Sequence, residues 1–502
     1  MLGRRHAVVL MTCLGMLITI GSRAVFTIVT TYIIEHTTPS GGIIKMKCVN
    51  VSHPRSDWNK KYVLQFQMAY YVATMVTQVP AGVLAARFSP RCVSGVAALL
   101  TSILTICIRF ALEYKYSWPT FLIRVLQGLV EGSVVPAFNG VLALWAPKSE
   151  KSILVVIAYS GAYLCTFVAD TVSGLMICKI EDIGSPLYLY GGIGIVWSLI
   201  WLTCFHDSPA DCRSLSEKEK QIFIDEDQYY RINTTVQLAE IPWRKIFTSL
   251  PLSAIFVASV NRNWIFAILV TQLPQYFRDE YHMNSFSDGL WTGIPHVLMT
   301  MVLIPVGLVV NTLLHRRVVS TTVARKTVET IGFGTEGACM LALGILQPHS
   351  RYVAVTLICV GVGMSGFAIS GYQVNCLDLA PRYTSVLTGI IRMGTVGAVI
   401  SQNLTAELIQ YPGGWNKVFI VAGGLHLFGV VYYLIFASGE RQPWAEEDLT
   451  LSIQYETPDD LPQDNGPVAN ANDPLLSRSM RVPRSVAINE LEESGGWYLS
   501  TI

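Results

Sequence analysis

The chain has 502 residues, with 36 Lys+Arg against 35 Asp+Glu and a formal net charge of +1 at neutral pH. Charged residues are 14% of it and hydrophobic residues 51%, whereas a soluble domain carries about 25% charged residues. That balance excludes a disordered chain and a general nucleic-acid binder, and it points to a multi-pass membrane protein.

A helix that crosses a bilayer needs roughly 20 mostly apolar residues. The first such run covers residues 7–34 and is interrupted by Arg23 alone. It is too long for a signal-peptide core and has no small-residue cleavage site. Further runs lie near 62–86, 92–112, 118–145, 151–178 and 187–206. The run at 118–145 carries Arg124 and Glu131, and that at 151–178 carries Asp170. A polar gap follows at 207–247, where Asp211 to Tyr230 is dense in Glu, Lys and Asp. Its periodicity suits short amphipathic helices outside the membrane.

The apolar runs resume near 250–275, 287–313, 328–346, 351–379, 384–408 and 415–437. They hold Arg262, His296, Glu336 and Arg392. Residues 438–502 are rich in Pro, Asp, Glu, Ser and Asn and read as a disordered tail. The expected fold is an all-α membrane protein of twelve transmembrane helices in two pseudo-symmetric six-helix bundles. The expected division is 1–206 for the first bundle, 207–247 for a cytosolic linker, 248–437 for the second bundle and 438–502 for a cytosolic tail.

Loop charges set the expected orientation. Arg4, Arg5, Arg87, Arg91, Lys148, Lys151, Arg316, Arg317, Arg325, Lys326 and Arg382 fall on one side, which predicts cytosolic termini. Asn50-Val51-Ser52 is then a glycosylation sequon on the opposite side. Most cysteines sit inside apolar runs, without metal-ligand spacing.

Charges inside the membrane are the functional signal, because each costs roughly 2.5–3.5 kcal/mol at the bilayer centre on insertion scales. Arg23 and Arg262 occupy matching places in the first helix of each half, as in an internal repeat. Two guanidinium groups on opposite walls of one cavity make an anion site, since each grips a carboxylate through two hydrogen bonds. Arg124 and Glu131 are seven residues apart, so they share a helix face about 10.5 Å apart along the axis. Such a carboxylate, held between a low dielectric and a cation, suits proton coupling. His296 and Asp170 are further candidates for proton coupling or gating, and each is equally explained by helix packing or a buried charge pair. Gly128, Gly132 and Gly140, and Gly361, Gly363, Gly366 and Gly371, give helix surfaces that approach closely and slide. Neither a GxxxxGK[ST] phosphate loop nor a GxSxG nucleophile elbow occurs, and the chain is expected not to be an enzyme.

Several stretches then resemble a known family. They are RVLQGLVEG from Arg124 to Gly132, WAP from Trp145 to Pro147, and PHVLMT from Pro295 to Thr300. Two more are GFAISGYQVNCLDLAPRY from Gly366 to Tyr383 and ASGERQPW from Ala437 to Trp444. Together they resemble the vesicular glutamate transporters, of the organic anion and phosphate transporter family within the major facilitator superfamily. The resemblance covers about residues 7–445. It implies alternating access around a central cavity, with Arg23 and Arg262 on the substrate carboxylates and Gln67 and Tyr372 completing the substrate set. It assigns Arg124 and Glu131 to coupling or gating, with His296 in the PH motif.

The chain departs from the glutamate pattern in its pocket. Gln67 stands for a His, Thr74 and Val135 for tyrosines, and Cys376 for a His, while Asp170 and Arg392 replace uncharged residues. The resemblance implies transport of a small organic anion, glutamate-like, into vesicles under membrane potential or a proton gradient, with H+, Na+ or Cl− as the ions to test for coupling. Proton-coupled sialic acid transport, sodium-coupled phosphate transport and a transport-dead trafficking scaffold are the alternative readings. Expected partners are the anion or phosphate, the lipid bilayer, and sorting adaptors on the tail at Asp473-Pro474-Leu475-Leu476, with no nucleic acid. The expected location is a synaptic, secretory or lysosomal vesicle membrane, or the plasma membrane.

Overall fold

The computed structural model describes residues 3–37, 60–112, 116–180, 182–212, 214–225, 241–281 and 285–445. The sequon at Asn50 and the tail motif at Asp473 lie outside the described residues, and so does the side chain of Asp170. Among the described residues, twelve helices are long and apolar enough to cross a membrane. They are α1 Arg4–Thr30, α2 Gln65–Arg87, α3 Pro90–Ala111, α4 Trp118–Trp145, α5 Lys151–Ile177 and α6 Ser185–Cys204 in the first half. The second half holds α7 Leu250–Gln272, α8 Gly293–His315, α9 Thr321–Leu346, α10 Arg351–Leu379, α11 Pro381–Leu408 and α12 Gly414–Phe436. Between the halves, the linker forms helices at Glu217–Asp225 and Trp243–Phe247.

The polar chemistry of the helix ends brings both ends of this array to one face. Arg5 pairs with Glu150, which precedes α5, at 2.8 Å and with Glu219 of the linker at 3.6 Å. After α12, the Gly439 amide donates to Thr322 Oγ1 at the start of α9, and the Gln442 amide donates to the Leu379 carbonyl at the end of α10. We call this the termini face.

The sequence boundary of α9 needs correction. The apolar run starts at 328, but the helix starts at Thr321, capped by the Ser320 hydroxyl accepting from the Val323 amide. Arg325, counted from sequence as a loop cation, is therefore a helix residue and only 1% exposed. Hydropathy alone stops at a charged turn. Here the charge is paired to Asp378 and so stays inside.

Four membrane helices are interrupted. α4 breaks after Glu131 and resumes at Val134. α7 ends in a π-helical turn at Ile268–Gln272, and α10 contains one at Ile369–Gln373. In α11 a 3-10 turn at Met393–Thr395 follows Arg392. Such breaks gather at functional sites, because they release backbone groups from the helix ladder.

Small residues let the halves touch. A Cβ on Gly82 of α2 would stand 2.4 Å from the Ser385 carbonyl oxygen of α11. One on Gly389 of α11 would stand 2.4 Å from the Gln78 carbonyl oxygen of α2. Only glycine allows backbones this near.

Candidate functional site

A polar pocket lies where α1, α2, α4 and α11 meet. Its lining includes Arg23, Tyr70, Thr74, Gln78, Glu131 and Arg392. It therefore draws charge from both halves: Arg23 and Glu131 from the first, Arg392 from the second. The helix breaks set two of these groups in place. Glu131 is the last residue of the α-helix Trp118–Glu131, and Arg392 is the last of Thr384–Arg392.

Arg23 lies 5.9 Å from the ring centre of Tyr70 and 5.6 Å from that of Tyr71, so aromatic faces are its direct contacts, and Glu131 supports its charge from beyond salt-bridge reach. Among the described residues neither Arg23 nor Arg392 has a carboxylate within salt-bridge reach. Glu131 is 7% exposed, and its Oε2 has no hydrogen-bond partner. The charged groups facing it are Arg23, Arg124 and Arg392. Arg124 sits behind the pocket and is 1% exposed. Its guanidinium carbon is 4.1 Å from the Phe26 ring centre and 4.4 Å from that of Tyr70, and its Nη1 donates to Gln127 Oε1 at 2.6 Å.

Arg262 has a different environment. Its Nη1 pairs with Glu336 Oε1 at 3.3 Å and donates to Ser365 Oγ at 3.0 Å, while Nη2 lies 3.2 Å from Met299 sulfur. Glu336 is fully buried, and its second oxygen meets His426 Nε2 at 3.1 Å. Arg262 is not among the residues lining the pocket that Arg23 faces. Its link to the first half is aromatic, with the Tyr163 ring centre at 5.3 Å.

His296 belongs with Arg262 rather than with Glu131. It is 2% exposed, edge-on to Phe266 at 5.5 Å, and its Nδ1 has no partner. Tyr372 lies in the π-helical turn of α10, packed on Phe333 at 5.6 Å. Its backbone amide donates to Glu329 Oε2 at 3.2 Å. Gln67 donates to Thr27 Oγ1 at 3.3 Å, which ties α2 to α1 outside the pocket lining.

The halves are bolted together toward the termini face. Asp378 of α10 holds Lys151 of α5 at 3.2 Å and Arg325 of α9 at 2.9 Å. Arg325 Nη2 also donates to Ser152 Oγ at 3.1 Å, across the interface. Asn311 donates to the Ser149 carbonyl at 2.8 Å, and Asn139 donates to Thr388 Oγ1 at 2.8 Å. Gln373 Nε2 donates to the Tyr159 hydroxyl at 2.7 Å.

Sequence reasoning did not single out Asp378, Glu329 or His426. The first lies inside the familiar LDLAPRY stretch, and intramembrane charge would have flagged the second. His426 becomes meaningful only beside Glu336.

Two interlocked six-helix halves, with broken helices and a charged pocket between them, are the plan of a secondary transporter. The Major Facilitator Superfamily model matches residues 11–402. The chain belongs to the major facilitator superfamily. It is 35% identical over 452 residues to vesicular glutamate transporter 1 of Bos taurus, covering 89% of this chain and 79% of that protein. It is 32% identical over 505 residues to vesicular glutamate transporter 2.2 of Danio rerio, covering 99% and 84%. Its fold is similar to that of the proton:xylose symporter XylE bound to 6-bromo-6-deoxy-D-glucose, with a TM-score of 0.63. That match has 14% sequence identity and covers 89% of this chain and 98% of the symporter. This superfamily protein is thus a multi-pass membrane transporter.

Proposed function

We propose that this transporter carries a small organic anion, glutamate-like in charge, across an intracellular vesicle membrane by alternating access. The observation that carries this reading is Arg23 in a pocket between the halves, without a carboxylate partner among the described residues and beside Glu131. Arg23 is half-buried, and its carboxylate neighbour Glu131 acts on it only from beyond salt-bridge reach. A charge held that way is costly, and an anionic ligand supplies a direct partner. The likeness to vesicular glutamate transporters adds the substrate class and the vesicle. The loop cations support cytosolic termini.

On that orientation the termini-face contacts close the pocket from the cytosol. Anion loading from the cytosol then requires Lys151 and Ser152 to part from Asp378 and Arg325. An interior-positive vesicle draws the anion inward, and each 100 mV is worth about 2.3 kcal/mol per charge, or roughly fifty-fold in concentration. Protons are the coupling ions this reading favours, with Glu131 as their carrier. Protonating Glu131 removes the one carboxylate among the described pocket residues that competes with the substrate for the arginines.

The test is uptake of labelled glutamate by the purified full chain in proteoliposomes with an imposed inside-positive potential. Saturable uptake that vanishes in Arg23→Ala supports the reading. Phosphate or sialic acid moving instead, under sodium or proton gradients, overturns glutamate as the substrate. No movement of any anion overturns transport.

A further inference from the structure

The pocket holds two arginines, but they are not the pair that symmetry of the two halves picks out. Arg262, the repeat-mate of Arg23, has both terminal nitrogens engaged by Glu336, Ser365 and Met299. A ligand carboxylate at Arg262 would compete with a fully buried ion pair. Arg392 lines the pocket with Arg23 and Glu131, is half-buried, and has no ion pair among the described residues. It reaches the pocket from the other half of the molecule, at a break in α11. One turn further on, Thr395 accepts a hydrogen bond from Gln78 of α2 at 3.5 Å, so α11 is held against the first half beside the pocket.

We propose that Arg392 and Arg23 form the two arms of the anion clamp, and that the ligand is a dicarboxylate bridging the two halves. This deepens the anion-transport reading and rests on it. The charge count favours two carboxylates. With Glu131 protonated the lining carries two positive charges, which a plain dicarboxylate neutralises and a monocarboxylate leaves half uncompensated. With Glu131 ionised the lining carries two positive charges and one negative. An amino dicarboxylate mirrors that set, its ammonium group facing Glu131. Each arginine fork matches one carboxylate with two parallel hydrogen bonds. Like the Tyr70 hydroxyl and Gln78 Oε1, the unpartnered Oε2 of Glu131 is a pocket oxygen that a ligand proton or ammonium would satisfy.

The experiment uses the full chain in proteoliposomes with labelled succinate and glutamate, and butyrate as a competing monocarboxylate. Arg392→Asn is expected to raise KM for succinate and glutamate by at least about tenfold, as truncating one member of a buried hydrogen-bonded charge pair does. Butyrate inhibition should change less than about threefold, since Arg23 alone holds one carboxylate. The preference for two charges over one therefore collapses, which a merely structural role would not produce. Arg392→Lys keeps the charge but loses the fork, and should recover most of that preference. Unchanged dicarboxylate KM in Arg392→Asn, or equal weakening of succinate and butyrate, overturns the clamp while leaving anion transport standing. A wild-type protein that moves another anion but neither succinate nor glutamate overturns the clamp, and one that moves no anion at all overturns both. If Arg392→Asn does not elute as the wild-type species on size exclusion, Arg392→Lys decides alone. A severalfold KM rise confined to dicarboxylates then supports the clamp, and an unchanged or uniform effect overturns it.

Discussion

Arg23 and Arg262 each lie in the first helix of their half and live in opposite circumstances. Arg23 faces a pocket, flanked by two tyrosine rings. Arg262 is locked to Glu336, which is locked in turn to His426. The difference teaches that a charge in a membrane helix is read by the partner it meets and not by the helix that carries it. In the first half the charge faces the pocket with no salt-bridge partner among the described residues. In the second it braces α7 against α9 and α12, and Arg392 of α11 supplies the charge that the pocket receives.

The largest effect should come from breaking the locked side. Arg262→Ala leaves Glu336 buried without its cation, and removing one partner of a buried pair costs about 3–5 kcal/mol. We expect a strong fall in the melting temperature of the detergent-solubilised protein. Adding Glu336→Gln to Arg262→Ala should restore much of it, since the orphan charge is then gone. A single variant as stable as the wild type would mean that Arg262 is not a brace.

Arg23→Ala sharpens the same contrast from the other side. Arg23 has no carboxylate partner among the described residues, so its loss should shift the melting temperature little. Anion uptake should be lost entirely. A variant that melts far below the wild type would make Arg23 structural as well, and the asymmetry would disappear.

Next in size is the bolt at the termini face. Asp378→Asn weakens ion pairs to both Lys151 and Arg325. Two buried cations then lose their counter-charge, which costs on the order of 2–5 kcal/mol where the pairs hold. The expected result is greater access from the termini face, read as faster modification of a single cysteine placed at Ser152 by a membrane-impermeant thiol reagent. The comparison is made in a background whose native cysteines are replaced. Unchanged labelling would show that the glycine-mediated contacts close this face without the ion pairs.

Much of the fold was legible because the bilayer imposes a length and a composition on each crossing helix. The twelve apolar runs correspond to the twelve spans, and Arg23, Glu131 and Arg262 stand out as charges in them. What hydropathy missed is where a charge is neutralised by a distant partner. The first turn of α9 looks like loop because Arg325 is charged, and only its contact with Asp378, 53 residues on, makes it interior. In the same way, Glu336 reads as a lone charge in an apolar run until α7 and α12 bring Arg262 and His426 onto it. The role of Arg392 could not be chosen from sequence, because a charge in α11 faces lipid, a neighbour or the pocket according to helix rotation.

The smallest expected effect tests whether the halves must separate at the close contact of α2 and α11. A methyl group on Gly389 would stand 2.4 Å from the Gln78 carbonyl oxygen, with two backbone carbons, of Gln78 and Val79, at 3.1 Å. All three neighbours are backbone, so none yields by a rotamer change. Overpacking of this kind costs about 1–3 kcal/mol, and here the cost falls only on the state in which the two helices touch. Gly389→Ala should therefore favour the state open to the termini face, with a modest loss of stability. Thiol labelling at position 152 should rise in the direction seen for Asp378→Asn, but by less. Gly334 is the control, because a methyl group there meets nothing within 4 Å. Gly334→Ala should leave labelling unchanged. If both alanine variants behave alike, the closeness of α2 and α11 carries no weight in holding this face shut, and the ion pairs at Asp378 and the hydrogen bonds between the halves carry it.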